Sequence, residues 1–552
     1  MQGPEMNQAF STHDVANQPP SLAGVNLFTF DPVLTAMVEG APPQVIEMLT
    51  GLGAFFGSAE TLEMARLANQ SPPVLRTHDP QGNQIDLVEY HPAYHALMRR
   101  SVSAGLHCSV WDATGAESEV RTLARAARIF LTAEVDAGHL AQMSSTSAGI
   151  AALAHAPRLA EEWLRKLCSR TYDATMKPVE QKAGALLSLA ITERQAGTDY
   201  RLLSTEATSD EGDAAYRLDG HKWFVSAPMS DAYVTLAQTR EGVSCFLVPR
   251  HLPGGERNGI RLVRLKDKLG TRSLAAGEIE FNGASGFLLG KPGGGLDAIR
   301  EVTTLARLDD TVIAAALMRA ALAEAVHHCR RRMVGGRVLI EQPLMARVLA
   351  DVALDVVAAT SLVMRIAIAM DRARNNPVEA AFAKLMTPVA KYWIAKIAPG
   401  VIAEMMESIG GNAVVEESRL PRLYRDSLSM AVADGPGNVL CLDVLRMLRK
   451  SGDPLEAVIA VSETTLGGSA KAALDILRAA AAVALADEGS TRVLTEQLAL
   501  TVAAATMHHA FPAEVGDAFL DTRLGKGWRT TYGMLDSRFD TTGILDFVCP
   551  SL

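Results

Sequence analysis

The fold is decided by residues 191–199, ITERQAGTD, and by the strand-like residues 222–226, KWFVS, about thirty positions downstream. The first stretch is a polar turn rich in hydroxyl and backbone N–H groups, and the second places an aromatic ring two residues before a hydroxyl. This pair can hold a planar ring with polar edges, because N–H and hydroxyl groups donate to the edges while Phe224 covers one face. Taken alone, the turn also fits an ordinary loop, since Gly and Asp form turns and Thr is common in strands.

Further segments follow in a fixed order, and it is this order that carries information. They are KDKLGTRS at 266–273, LLG at 288–290, GGG at 293–295 and ADGPGN at 433–438. The set resembles the acyl-CoA dehydrogenase superfamily of FAD enzymes, whose turn reads [Ile/Met/Val]-Thr-Glu-x-x-[Ala/Gly]-Gly-[Ser/Thr]-Asp and whose later strand reads aromatic-x-[Ser/Thr]. The resemblance is strongest with the AidB branch of adaptive-response proteins, through HPAYH at 91–95, HKWF at 221–224 and LPRLYR at 420–425. It extends from the amino end to about residue 449.

The resemblance implies that the chain binds FAD. The flavin contacts carried over to this sequence are Leu189, Ile191, Thr192, Gly197, Thr198, Phe224, Val225, Ser226, Gly435 and Asn438. In the family, an Arg in an Arg-x-x-Phe-Gly motif of a neighbouring subunit meets the pyrophosphate, and the best match is Arg332, although the Phe is lost. The alternative is that arginines 330–332 form a solvated face at the carboxyl end of a helix, where cations are favoured. A phosphate site for CoA at Lys266, Lys268 and Arg272 and a solvated strand end are equally compatible with the sequence.

The resemblance also implies a catalytic base. Asp434 matches the position of the family's catalytic Glu, which abstracts the α-proton of a thioester while hydride passes to flavin N5. This sequence departs from the pattern, because Asp is one methylene shorter and Ala433 replaces an aromatic residue. Shortening a base by ~1.5 Å costs about two orders of magnitude where alignment governs the rate. The second position used in some branches holds Ala306, and an Asp base is found in the related nitroalkane oxidases. Without the resemblance, residues 434–435 also fit a simple turn.

Length and composition limit the number of domains, the cysteine chemistry and the cellular location that we expect. A chain of 552 residues with 48% hydrophobic residues predicts several packed domains with large interiors. The six cysteines show no paired spacing, so we expect neither a disulfide framework nor a zinc site. The amino end has no apolar secretory stretch, and no uninterrupted apolar run reaches the ~20 residues of a membrane span. The expectation is a soluble, reduced, cytoplasmic protein.

Hydrophobic periodicity predicts a mainly α protein with a central β-domain. Residues 1–45 look like an extended arm, 46–180 a helical domain, 181–290 a flavin-binding β-domain, 291–450 a helical bundle and 451–552 an additional Ala-rich helical domain. The longest predicted helices cover residues 311–325 and 344–370. This order agrees with the α-β-α architecture of the family and with the extra carboxyl-terminal domain of the AidB branch.

Two functional classes remain open. The first is an FAD-dependent oxidoreductase acting on an acyl-CoA or related thioester, in a homo-oligomer that the resemblance implies is a tetramer or dimer of dimers. The second is an AidB-like flavoprotein that associates with DNA and protects it against alkylation damage. Residues 451–552 carry seven basic and thirteen acidic side chains, a net charge of −6. This negative charge disfavours binding to the phosphates of DNA. Only a local patch at Arg523, Lys526 and Arg529 is left as a DNA contact.

Overall fold

The computed structural model describes residues 15–209, 215–466, 471–525, 532, 535 and 538–550. Its amino-terminal part is a helical domain. The helices are α1 (Pro32–Met37), α2 (Pro43–Phe56), α3 (Ala59–Gln70), α4 (Pro92–Ser103), α5 (Ser109–Asp112), α6 (Arg121–Ala133), α7 (Leu140–Leu153) and α8 (Pro157–Leu167). Helix α6 is buried over its whole length from Thr122 to Ala133, so it forms the centre of this domain.

The expectation of an extended arm up to residue 45 is wrong for its last third. Helix α1 begins at Pro32 because Asp31 caps it, its carboxylate accepting from the backbone N–H groups of Val33 and Leu34. Proline at the first helical position adds to this start signal. Helix α2 then begins at Pro43. Residues 15–31 contain no helix, and residues 1–14 lie outside the described part.

A hairpin interrupts the predicted helical domain. Strands β1 (Val74–His78) and β2 (Gln84–Glu89) pair antiparallel, with Leu75 opposite Val88. Asp86 and Val88 are buried and alternate with less buried neighbours, as expected for a strand with one covered face. The hairpin is too short to give a clear period of two in the sequence.

The central domain is a sheet that closes on itself. Its strands are β3 (Leu187–Ala190), β4 (Glu206–Thr208), β5 (Tyr216–Ser226), β6 (Ala232–Thr239), β7 (Gly242–Pro249), β8 (Ile260–Leu265) and β9 (Ala276–Leu289). The order is β3-β6-β4-β5-β9-β7, β8 pairs with β9, and β7 pairs back onto β6. Strands β6 and β7 are buried on both faces, which explains their continuous apolar runs.

Long helices form the second helical layer. After the short α9 (Gly295–Ala298), they are α10 (Arg300–Cys329), α11 (Pro343–Arg372) and α12 (Pro377–Ile409), followed by α13 (Leu420–Met430) and α14 (Gly437–Lys450). A small hairpin of β10 (Met333–Val334) and β11 (Arg337–Val338) joins α10 to α11. Both predicted helices lie inside α10 and α11, which extend further at each end.

The last hundred residues add helices to the same core. They are α15 (Asp453–Leu466), α16 (Lys471–Ala486), α17 (Thr491–Ala510), α18 (Ala513–Phe519) and α19 (Thr541–Val548). Leu477 and Leu498 belong to one hydrophobic cluster with residues of α11 and α12. These helices therefore cover the bundle and do not form a separately packed body.

Among the described residues, two helices are long and apolar enough to cross a membrane by length and hydropathy alone. They are residues Gly295–Cys329 and Pro343–Arg372, and 89% of the relevant stretch of each is buried inside the protein. Burial of this kind is what a core helix of a bundle shows.

Candidate functional site

The turn at 191–199 leaves β3 and lies against β5. The backbone N–H of Trp223 donates to the carbonyl of Thr192 at 2.8 Å, which fixes the turn beside the strand. Leu189, Ile191 and Thr192 are half-buried. This contact joins the two segments that the sequence analysis considered together.

Strand β5 presents its residues alternately to the interior and to solvent. Val225 is buried, Ser226 is half-buried, and the Phe224 side chain is 53% exposed. Phe224 is the most exposed aromatic residue of the described sheet, in which Tyr233 and Phe246 are fully buried and Tyr216, Trp223 and Phe287 are half-buried. The ring is therefore free to stack against a planar ligand.

A buried ion pair braces the turn from below. The Glu193 carboxylate accepts from Lys222 Nζ at 2.8 Å, from Thr205 Oγ1 at 2.5 Å and from the N–H of Ser204 at 2.7 Å. Burial alone would raise the pKa of Glu193, but the Lys222 ammonium and these donors outweigh it and lower the pKa to about 2. Glu193 therefore stays charged and holds the turn, and it is not available as a proton acceptor.

The tip of the turn is open and carries unused donors. A Cβ added to Gly197 would meet nothing within 4 Å, and both Gly197 and Thr198 are exposed. Within the described residues, the backbone N–H groups of Gly197 and Thr198 have no protein acceptor. They are positioned to donate to a polar group that the chain itself does not supply.

Cations gather around the indole next to Phe224. Lys266 Nζ lies 3.4 Å from the centroid of the Trp223 ring and 4.9 Å from that of Phe224, and the Arg194 guanidinium lies 4.7 Å from Trp223. Lys266 also pairs with Glu278 at 2.5 Å. This arrangement gives the edge of the site positive charge. From sequence, a phosphate contact and a solvated strand end were both open for Lys266, and the structure places it against the aromatic residues.

A second turn, at 433–435, connects α13 to α14 and carries Asp434. Its backbone is left-handed, with φ +49° at Asp434 and +119° at Gly435. Asp tolerates this region better than most side chains, and glycine adopts it freely. The Asp434 side chain is exposed, and a Cβ on Gly435 would approach the Arg307 guanidinium to 3.3 Å.

Two cations anchor the carbonyl groups of this turn. Arg307 Nε donates to the Asp434 carbonyl at 2.9 Å while its Nη2 pairs with Asp443 at 2.8 Å. Lys391 Nζ donates to the Ala433 carbonyl and to the Asp310 carboxylate, the latter at 2.7 Å. The backbone on both sides of the Asp434 Cα is therefore fixed from α10 and α12.

The pair beneath the turn is buried and electrostatically coupled to Asp434. Burial, with a smaller contribution from the Asp434 charge, raises the pKa of Asp310 to about 7 against the opposing effect of the Lys391 ammonium. Sequence reasoning missed Asp310 and Lys391. The signal was present, because both are charged residues inside long apolar stretches of α10 and α12, and such residues are seldom buried without a partner.

The two turns face a common region. Tyr200, directly after the 191–199 turn, has a pKa raised by burial and next by the negative charge of Asp434. The same tyrosine packs against the hydrophobic cluster that contains Leu305 and Ala306 of α10. The structure thus brings the predicted flavin turn and the predicted base to the same side of the amino end of α10.

Two residues predicted to contact FAD, Arg332 and Asn438, form hydrogen bonds to other parts of the same chain. Arg332 Nη1 donates to the Asn17 carbonyl, beyond the far end of α10 from Arg307. Arg307 and Cys329 are 22 residues apart in this helix, so roughly 33 Å separates these two residues along the helix axis at 1.5 Å per residue. Asn438 is exposed, and its Oδ1 accepts from Arg492 Nε of α17 at 2.9 Å.

A large open groove lies at that far end. Its volume is about 1380 Å³, and it runs between the residues before α1, helix α3, the 267–272 loop and the 409–425 segment. Its lining carries both charges: basic and polar side chains include Lys268, Arg272, His328, Asn412, Arg422 and Arg425, and the carboxylates are Glu63, Asp267, Glu324, Glu416 and Glu417. None of the lining residues belongs to the 433–435 turn, so the groove is separate from the surroundings of Asp434.

Comparison with known families agrees with this architecture. Residues 17–174 match the AidB amino-terminal domain, 188–284 the middle domain of acyl-CoA dehydrogenases and 293–448 their carboxyl-terminal domain. The chain has the acyl-CoA dehydrogenase fold, with a central β-domain and additional carboxyl-terminal helices, and the fold class expected from the sequence is confirmed.

Individual relatives identify the branch of the superfamily to which the chain belongs. The chain is 44% identical to the AidB protein of Escherichia coli (strain K12) over 444 residues, which are 80% of this chain and 81% of that protein. The description of that protein as an acyl-CoA dehydrogenase is itself provisional. Acyl-CoA dehydrogenase family member 11 of Caenorhabditis elegans is 28% identical over 76% of this chain and 70% of its own. The chain belongs to the AidB branch of the acyl-CoA dehydrogenase superfamily, a superfamily of oxidoreductases.

Solved structures extend the likeness past the matched domains. The Caenorhabditis elegans ACDH-11 structure in complex with C11-CoA superposes with a TM-score of 0.85 at 24% identity, covering 95% of this chain and 96% of that one. An acyl-CoA dehydrogenase from Bacillus anthracis complexed with FAD superposes with a TM-score of 0.69 at 15% identity, covering 90% and 89%. At these identities the likeness concerns the fold, and it includes the helices after residue 450.

Proposed function

We propose that this protein is an FAD-dependent, acyl-CoA dehydrogenase-like oxidoreductase in which Asp434 removes the α-proton of an acyl-CoA thioester. The observation that carries the proposal is the Asp434 carboxylate itself. It projects from a turn whose flanking carbonyls are anchored by Arg307 and Lys391, and its charge acts on Tyr200, directly after the 191–199 turn.

Membership of the family implies FAD, and the residues present fit it. The unused N–H groups of Gly197 and Thr198 suit the polar edge or phosphate side of the cofactor, and the exposed Phe224 ring suits a face of the isoalloxazine. The residues that would hold it are Leu189, Ile191, Thr192, Gly197, Thr198, Phe224, Val225, Ser226, Gly435 and Asn438. When bound there, FAD would supply the acceptor for the β-hydrogen of the substrate and its electron pair.

Asp434 supplies the base in this scheme. One carboxylate oxygen takes the α-proton, and a general base of this kind accelerates a reaction by about 10² to 10⁴ when it is aimed well. The carboxylate is exposed in the chain alone, so a bound acyl group has to shield it from water. The position before Arg307 holds Ala306, so the alternative base of other branches is not available here.

Arg307, Lys391 and Asp310 act as positioning residues in this scheme. A side chain as short as Asp has few rotatable bonds, so the direction of its carboxylate depends on the backbone that carries it. Arg307 fixes the Asp434 carbonyl and Lys391 fixes the Ala433 carbonyl, while Asp310 keeps the Lys391 ammonium in place. A fixed turn compensates in part for the methylene that Asp lacks relative to Glu.

The proposed enzyme is a homo-oligomer, most simply a tetramer, because one chain does not complete the site. Arg332 lies roughly 33 Å along α10 from the Asp434 end, so it can meet a pyrophosphate only in another subunit's site. The basic and polar residues of the large groove lie at this same end of the helix. A neighbouring subunit's cofactor tail is the occupant that this groove fits.

The described residues of the carboxyl-terminal helices weigh against the DNA-binding alternative. Arg523, which the sequence placed in a basic patch, is buried and paired with Asp351 at 2.7 Å and Asp355 at 2.8 Å. Arg492 and Arg478 are also engaged, with Asn438 and Asp475. Lys526 and Arg529 lie outside the described residues.

The test is anaerobic reduction of the purified FAD-loaded protein by a panel of acyl-CoA thioesters, followed as loss of the visible flavin absorbance. We expect at least one chain length to bleach the flavin and Asp434→Asn to slow bleaching about 10³-fold, within the range for a general base. The matched control is Asp297→Asn, an exposed carboxylate of α9 paired only with Arg300, which should leave the rate unchanged. Reduction of the Asp434→Asn protein at the wild-type rate would remove Asp434 from the reaction.

A further inference from the structure

Two of the six cysteines, sixty positions apart in sequence, meet in the amino-terminal domain. The sulfur atoms of Cys108 and Cys168 and a carboxylate oxygen of Asp112 all lie within 4.8 Å of one another. Cys108 is buried at the start of α5, and Cys168 is half-buried at the end of α8. The sequence predicted no cysteine pairing because the spacing shows none, and the approach of these two arises only from the fold.

The surroundings of the two thiols make them chemically different. Cys108 Sγ donates to Asp112 Oδ2 at 3.7 Å, and Asp112 is itself held by Arg170 at 2.8 Å. The interaction between the two sulfurs lowers the pKa of Cys168, while the same interaction and burial raise the pKa of Cys108. Cys168 is thus both the more accessible sulfur and the one that loses its proton more readily, which is the combination a reactive cysteine needs.

We propose that Cys108 and Cys168 are a redox-active pair that closes to a reversible disulfide when Cys168 meets hydrogen peroxide or an organic hydroperoxide. The Cys168 thiolate attacks the peroxide, so that an S–O bond forms, the O–O bond breaks, and water or an alcohol leaves after taking up a proton. The Cys108 sulfur then displaces hydroxide from the sulfenic acid, and its proton leaves with the hydroxide as water. Two thiols lose two electrons in total, and the peroxide gains them.

Both sulfurs can complete this step with small movements. A disulfide requires sulfur atoms about 2.05 Å apart, so each side chain has to rotate toward the other. Each cysteine stands at a helix terminus and not within a helix, where rotation of the side chain leaves the helical hydrogen bonds intact. The starting distance, at most 4.8 Å, is within the reach of two such rotations.

A metal ion is a weaker fit to the same three side chains. A zinc site would need the Asp112 carboxylate as a ligand, and Arg170 already binds both of its oxygens at 2.8 Å. Only two sulfurs then remain, fewer than the protein ligands of a structural zinc site. Thiol oxidation uses the two sulfurs and leaves the Asp112–Arg170 pair as it stands.

The pair shares a hydrophobic cluster with residues of the 191–199 turn and Tyr200. Cys108 belongs to a hydrophobic cluster against which Cys168, Ile191 and Tyr200 also pack. A Cys108–Cys168 disulfide would therefore form within the same hydrophobic cluster against which the 191–199 turn packs. The inference does not depend on the proposed oxidoreductase activity, because the thiol chemistry uses neither FAD nor Asp434.

The experiment exposes reduced, full-length, FAD-loaded protein to stoichiometric hydrogen peroxide, blocks the remaining thiols, and maps peptides without reductant. We expect a Cys108–Cys168 cross-linked peptide, loss of two of the six thiols, and recovery of both on treatment with a dithiol. Cys108→Ala should leave Cys168 as a sulfenic acid that dimedone traps, and Cys168→Ala should leave Cys108 unoxidised. Cys245→Ala, which removes a buried cysteine of β7, is the matched control and should cross-link as the wild type does.

Three results would overturn the proposal. The first is that both thiols survive peroxide in the wild-type protein, and the second is that Cys168 is oxidised no faster than the buried Cys245. The third is that the reduced protein binds one equivalent of added Zn²⁺ and that Cys108→Ala abolishes the binding, because this outcome identifies a metal site. The first two results use the wild-type chain alone, so they stand even where a variant fails to fold.

Discussion

The 191–199 turn and the 433–435 turn are both supported by a buried lysine paired with a carboxylate, but the two pairs are built differently. In the first, the carboxylate belongs to the turn, since Glu193 itself meets Lys222. In the second, both partners lie in helices below the turn, and Lys391 touches it only through the Ala433 carbonyl. The first pair therefore determines whether the turn is folded, and the second determines where Asp434 points.

The largest effect expected from this comparison is on stability. Lys222→Met leaves the Glu193 charge buried without its cation, and removing one partner of such a pair costs about 3 to 5 kcal/mol. The free energy of unfolding should fall by this amount in urea denaturation, with loss of bound FAD. The double variant Glu193→Gln/Lys222→Met should recover part of the loss, and Lys291→Met, an exposed lysine, should cost little. A Lys222→Met protein as stable as the wild type would mean that the pair does not brace the turn.

The second pair should affect rate more than stability. Lys391→Met releases the Ala433 carbonyl, and we expect flavin reduction by acyl-CoA to slow about 10- to 100-fold, as misalignment of a base does. Stopped-flow measurement under anaerobic conditions separates this rate from substrate binding. The matched control is Lys384→Met, an exposed lysine of the same helix α12, which should reduce at the wild-type rate. An unchanged rate in Lys391→Met, with FAD bound, would show that the anchoring of the turn is immaterial.

The difference between the pairs should also appear in the dependence of stability on pH. The pKa of Glu193 is lowered from 4.5 to about 2 on folding, so its contribution to stability is complete above about pH 4.5 and is lost as pH falls toward 2. The wild type should lose stability across this window, and Glu193→Gln should lose less because it has no such charge to neutralise. Denaturation midpoints measured at several pH values test this. Parallel losses in the two proteins would contradict the prediction.

The smallest effect concerns DNA. Because Arg523 is buried in an ion pair and residues 451–552 carry a net charge of −6, we expect no retardation of duplex DNA in a gel-shift at low ionic strength. A basic DNA-binding protein run beside it provides the positive control. Retardation that weakens steeply with added salt would restore the DNA-binding class.

The sequence was sufficient for the parts of the molecule that rest on local signals. The composition of the 191–199 turn, with its Thr, Glu, Gly and Asp, predicted a loop, and residues 222–226 predicted the neighbouring strand β5. The family resemblance, the central β-domain and the two 30-residue helices follow from motif order and hydrophobic periodicity in the same way. Each of these features can be recognised from short stretches of sequence, without knowledge of contacts between distant residues.

The parts that could not be predicted depend on contacts between distant residues. Lys391 and Asp310 are 81 positions apart, and nothing in either helix sequence shows that they meet under Ala433. Cys108 and Cys168 come together where the start of α5 meets the chain after α8, at the Arg170–Asp112 ion pair. Arg523 looked like part of a surface patch until the fold placed it against Asp351. Helix α1 was missed because it has only six residues, too few for a period of 3.6 to appear.

The most direct test of the account is an experimental structure of the FAD-loaded oligomer with a bound, unreactive acyl-CoA analogue. The account predicts the flavin ring against Phe224 and the 191–199 turn, and an Asp434 carboxylate oxygen about 3 Å from the α-carbon of the analogue. A flavin bound elsewhere, or an Asp434 carboxylate turned away from the α-carbon while Arg307 and Lys391 still hold the turn, would contradict it.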